Sequence, residues 1–121
     1  MTLKSMVIEF GTGVDIRGGD YTKAAVRAVS AAIRHNTILF ADAFGLERTQ
    51  MRIRVDIGVT KPEEVVREDV VAVFPYGMVD VRVVEGGMEI PTDDGTGITT
   101  MANAAVSVFL DLPDGETEDA A

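Results

Sequence analysis

Four stretches of this chain alternate apolar and polar residues, and a helical period fills two of the intervals between them. Met6, Ile8 and Phe10 share one side of a period-two run, which predicts a strand over residues 6–10 that Gly11 and Gly13 end. Ala25, Ala28, Val29, Ala32 and Ile33 then recur every three or four residues, with Lys23, Arg27, Ser30 and Arg34 opposite, the stripe of an amphipathic helix. Asp20 stands at its N-cap, where a carboxylate accepts from the unpaired amides of the first turn. The alanine-rich face predicts a helix lying close against whatever it covers. Residues 38–50 show no period and read as a loop with one helical turn. Met51, Ile53, Val55, Ile57 and Val59 alternate with Arg52, Arg54, Asp56 and Gly58, the clearest strand in the chain.

Thr60-Lys61-Pro62-Glu63 has the form of a capping box with proline in the first turn. It predicts a second helix carrying Val65, Val66, Val70, Val73 and Phe74 and stopping at Pro75. Val79, Val81 and Val83 alternate as a third strand, which Glu85-Gly86-Gly87 interrupts and Met88-Glu89-Ile90 resumes after a bend or bulge. A fourth strand within residues 99–112 places Ala104, Val106, Val108 and Leu110 on one face. The order β-α-β-α-β-β predicts an α+β fold: a two-layer sandwich of a four-stranded mixed sheet with two helices on one face. Residues 1–112 form its single domain, and residues 113–121 read as an acidic, disordered tail. The other sheet face carries Arg52, Arg54, Asp56, Asp80, Arg82 and Phe109. It is either a solvated face laced with ion pairs or the packing surface of a neighbouring subunit.

Charge narrows the partners. A formal net charge of −9 opposes binding to a phosphate backbone, so no nucleic acid partner is expected. The first five residues are too short and polar for a secretory signal, and no apolar run reaches the roughly 18 residues of a membrane span. The expectation is a cytoplasmic protein without a membrane partner. The absence of cysteine removes disulfides, thiolate metal sites and thiol nucleophiles.

The candidate chemistry gathers in the loop from Gly11 to Lys23, where glycines, acids and bases meet a helix start. A strand, a glycine turn and a helix N-terminus suggest an anion cradle. The spacing of Gly11, Gly13, Gly18 and Gly19 matches neither a dinucleotide fingerprint nor a P-loop, so no cofactor is expected. Asp15 is the candidate acid or base, and no metal site is assigned. His35, the one histidine, lies at the far end of the first helix, roughly 22 Å from its start at about 1.5 Å per residue, too far to partner Asp15. Asp93-Asp94-Gly95 is a candidate acidic lid, and Glu85 falls near a strand end where sites often form.

Gly11-Thr12-Gly13-Val14-Asp15-Ile16-Arg17-Gly18 resembles the Gly-x-Gly-x-Asp-x-His-Gly signature of a small conserved-hypothetical, Lin-type family of bacteria and plants. Thr22 to Val29, Phe74-Pro75-Tyr76-Gly77, Val84 to Met88 and Asn103 to Val106 are similar too, so that the resemblance spans Met6 to about Leu112. It implies no particular activity. Arg17 stands where that family has histidine. Arginine is permanently protonated and has no acceptor, which suits an anion or carbonyl clamp and not a metal ligand or general base. The element order also resembles chorismate-mutase-like and YjgF-like proteins, which implies a homo-oligomer, a trimer above all, with sites at subunit clefts. The expected function is a homo-oligomeric binder of a small anionic or carbonyl-bearing metabolite. Its ligand residues would be Gly11, Gly13, Asp15, Arg17, Gly18, Lys23 and Glu85. The alternative is a hydrolase or isomerase of a small molecule, ring-opening-amidohydrolase-like or chorismate-mutase-like, in which Asp15 is catalytic.

Overall fold

The computed structural model describes residues 2–34, 51–74 and 77–112. The expected loop at 38–50, His35 and the tail 113–121 lie outside them. The elements are β1 (Thr2–Asp15), α1 (Tyr21–Ala32), β2 (Met51–Val59), a 3₁₀ turn (Pro62–Glu64), α2 (Arg67–Val71), β3 (Met78–Glu85), β4 (Met88–Pro91) and β5 (Ile98–Leu112). The sheet order is β1-β5-β2-β3, with β4 pairing β5 beyond the end of β2. β5 runs antiparallel to β1, β2 and β4, and β2 and β3 are parallel, so the fold is α+β with a mixed sheet.

The alternation of β2 works as read. Ile53, Val55, Ile57 and Val59 are buried with Val106 and Val108 of β5 beneath Ala24, Ala25, Ala28 and Val29 of α1. Such burial stabilises by roughly 1.5–3 kcal/mol for each fully buried large aliphatic side chain.

Two expectations about the sheet need correction. The sheet has five strands and not four, because Gly86 and Gly87 turn the chain into the separate strand β4. At the start of that turn the Gly86 N–H still donates to the Val59 carbonyl of β2 at 2.9 Å. β1 is not ended by its glycines but runs through them to Asp15. Gly11 and Gly13 lie under α1, where a methyl group would overlap the backbone of Ala28 and Ala32 in one case and of Ala24 and Ala28 in the other. Ile8 and Phe10 do share a face, but it is the face turned away from the helices.

The second helix is also not continuous. Val65 and Val66 adopt extended backbone between the 3₁₀ turn and α2. Thr22 of α1 sits in the break, where its hydroxyl accepts from the Val66 N–H at 3.0 Å and donates to the Glu64 carbonyl at 3.3 Å. The Thr60 hydroxyl makes no capping hydrogen bond.

Candidate functional site

β1 and β2 each run antiparallel to β5, so their C-terminal ends lie at the same end of the sheet as the start of β5. α1 begins there as well. At this end the loop leaving β1 meets the loop that enters β5. The Gly19 N–H donates to the Ile98 carbonyl at 3.1 Å, and the Ile98 N–H donates to the Arg17 carbonyl at 3.3 Å. Arg17 is thereby held at φ 70°, the left-handed region that costs a residue with a Cβ about 1 kcal/mol or more. Gly97 is part of the same clamp, since a methyl group there would overlap the Arg17 carbonyl.

Asp15 lies beneath this loop and is 6 % exposed. Its Oδ2 accepts from the Asp20 N–H at 2.9 Å, and its Oδ1 is 3.9 Å from Lys23 Nζ and 3.8 Å from Arg27 Nη1. Arg27 also donates to the Val14 carbonyl at 2.6 Å. Asp20 caps α1 as its position in the sequence predicts, accepting from the Lys23 N–H at 2.9 Å. The two carboxylates therefore hold the backbone that presents Arg17.

Above the loop lies an open cleft of about 330 Å³ lined by Arg17, Gly18, Gly19, Tyr21, Lys61, Glu64, Thr96, Gly97 and Ile98. Arg17 and Lys61 bring two cations to it. The buried Tyr21 ring forms part of its wall, with Lys61 Nζ 5.9 Å from the ring centre. The Tyr21 hydroxyl donates to Glu89 Oε2 of β4 at 2.8 Å. That hydrogen bond, with burial second, holds the phenol above its ordinary pKa, and the same bond holds the Glu89 carboxyl below its own. Loop 92–97 forms another part of the rim and is braced from within by Asp94. Its Oδ1 accepts from the hydroxyls of Thr92 and Thr96, both at 2.7 Å, and from the Thr96 N–H at 3.1 Å. These hydrogen bonds, Thr96 foremost, lower the Asp94 carboxyl to about 2.

Of the residues expected to bind a ligand, Arg17 and Gly18 line the cleft, and Asp15 supports it from below. Lys23 turns to Asp15, Gly11 and Gly13 lie under the helix, and Glu85 ends β3 opposite Val59. Lys61, Tyr21 and Thr96 were not among the expected site residues. Among the described residues no group of three or more His, Cys, Asp or Glu side chains is placed to hold a metal. A second hollow, of about 370 Å³, lies on the sheet face opposite α1 and α2, by Arg52, Arg54, Met78, Asp80 and Phe109. Its Arg54 is already engaged, with Nε 3.3 Å from Asp56 and the guanidinium 5.3 Å from the Phe109 ring centre.

The chain folds as an α+β protein with a loop-bounded cleft. It belongs to the Lin0512 family of conserved hypothetical proteins, whose model matches residues 5–108. It is similar to an FtsZ-like protein of unknown function from Nostoc punctiforme, known from its crystal structure. The two are 35 % identical, with a TM-score of 0.81 over 93 % of this chain and 99 % of that one. No curated protein matches the chain.

Proposed function

We propose that this chain binds a small anionic or carbonyl-bearing metabolite in the cleft beside the Arg17 loop. The observation that carries the reading is Arg17 itself, a cleft-lining residue whose left-handed backbone the protein maintains with two hydrogen bonds and a dedicated glycine. A strained residue held so firmly is better explained by where it puts its guanidinium than by stability. Lys61 adds a second positive charge in the same space and Glu64 one negative charge, so the lining residues sum to +1 in a chain of −9. Arginine offers a planar fork to a carboxylate or phosphate, while lysine offers a point charge. The placement of Asp15 supports a positioning role, because its oxygens are turned to the loop amide and to Lys23 and Arg27.

Thermal-shift measurements with pyruvate, malonate, acetate and inorganic phosphate test the reading. A ligand at one hundred times its dissociation constant stabilises by about 2.7 kcal/mol, a shift of several degrees in a chain of this size. Arg17→Ala and Lys61→Ala are each expected to abolish the shift while leaving the unliganded melting temperature nearly unchanged. A shift that survives both substitutions removes the cleft as the binding site.

A further inference from the structure

We infer that the sheet face opposite α1 and α2 is the docking surface for a second copy of this chain, related to the first by a two-fold axis across the strands. Register aligns the outward residues of β1, β5, β2 and β3 into rows. One row reads Ile8, Ser107, Arg54, Asp80, and the next Phe10, Ala105, Asp56, Arg82. The four charges thus form a checkerboard, with Arg54 above Asp56 and Asp80 above Arg82, and within the chain Asp56 already takes Arg82 at 2.6 Å and Arg54 at 3.3 Å. An axis lying between these two rows sets each row over the other row of the partner. Arg54 then faces the partner's Asp56, Asp80 faces the partner's Arg82, and Ile8 faces the partner's Phe10. Every charged contact joins opposite signs, and the apolar positions meet each other. The next rows outward match in the same way, Met78 falling opposite the partner's Val84.

Ser107, between Ile8 and Arg54, is 2 % exposed, while the apolar side chains of these rows are open. Phe10 is 75 % exposed and Ile8 52 %, and Met78 and Val84 are both more than half exposed. The five ionised residues of β2 and β3 on this face, three arginines and two aspartates, sum to +1 in a chain of −9. A strongly acidic or strongly basic partner has no matching surface here, whereas a second copy does. Four strands about 4.8 Å apart and four rows about 6.7 Å apart give a flat footprint on the order of 500 Å². Side-chain relief brings this toward the roughly 800 Å² per partner of a stable interface. The symmetry yields pairs, not the trimer that the fold resemblance implies.

Sedimentation equilibrium on the full chain tests this, with each variant's melting temperature confirming that it folds. The expected wild-type mass is that of two 12.9 kDa chains. Phe10→Glu is expected to return the mass of one chain. Asp80→Lys sets lysine against the partner's Arg82, and Arg82→Glu sets glutamate against the partner's Asp80, so each alone weakens association by about tenfold or more. The double variant Asp80→Lys with Arg82→Glu restores opposite signs across this axis but sets both new side chains beside like charges of their own chain, so it is expected to recover part of the association that either single variant loses. A single-chain mass at high concentration, a three-chain mass, a pair indifferent to Phe10→Glu, or a double variant no better than the single ones overturns the inference.

Discussion

At the scale of single residues, the contact between Tyr21 and Glu89 ties the first turn of α1 to β4 and fixes one wall of the cleft. Its pH dependence follows from the two shifts. The phenol pKa is raised in the folded state, so its contribution is complete below the ordinary value of 10.0 and is lost as pH rises through the folded value. The carboxyl pKa is lowered, so its contribution is complete above the ordinary 4.5 and is lost as pH falls through the folded value. The pair is at full strength between those limits. In a Tyr76→Phe background, where Tyr21 is the remaining tyrosine, phenolate absorbance is expected to titrate above 10.0, and Glu89→Ala should bring the midpoint down. A midpoint that ignores the substitution excludes Glu89 as the cause. Arg17 differs in kind, since its effect comes from the backbone. Its left-handed φ and the glycine facing its carbonyl are visible in the structure, while the sequence shows an arginine between an isoleucine and two glycines.

At the scale of elements, the contact between α1 and β1 accounts for both glycines of β1. Gly11 and Gly13 oppose Ala24, Ala28 and Ala32, so that backbone approaches backbone and neither layer has room for another methyl group. Gly13→Ala is expected to destabilise by about 1–3 kcal/mol, the cost of overpacking, read as a lower urea midpoint. Thr12→Ala, on the exposed side of the same strand, should change little. The same packing explains which parts of the fold were legible. β2 was readable because each of its buried positions carries Ile or Val. The pattern ends β1 too early because Gly11 and Gly13, which face α1, leave no hydrophobic signal, while its apolar Ile8 and Phe10 lie on the other face. The break at Val65 and Val66 depends on Thr22, more than forty residues earlier, and no local pattern contains it. The site divides along the same line. Asp15, Arg17, Gly18 and the Asp20 cap belong to one local loop, whereas Lys61 joins them only because β1 and β2 both pair with β5 and so end together.

At the scale of the whole molecule, charge is distributed unevenly between the open sheet face and the rest. The five ionised residues of β2 and β3 on this face sum to +1, which leaves −10 on the rest of the chain, four of those charges from Asp114, Glu116, Glu118 and Asp119. Two copies meeting face to face therefore bring together opposite charges at contact distance and like charges farther apart. Salt acts differently on the two. The Debye length falls from about 30 Å at 0.01 M to about 8 Å at 0.15 M, so distant repulsion is removed while pairs at about 4 Å in a closed interface are screened far less. Association of this chain is accordingly expected to tighten between those ionic strengths, the reverse of an interface held by exposed ion pairs alone. Removing residues 113–121 lowers the repulsion at its source and should both strengthen the pair at low salt and flatten its salt dependence. An association constant that falls steadily with added salt in both forms would assign the attraction to the charged checkerboard and leave Ile8, Phe10, Met78 and Val84 without a part in it.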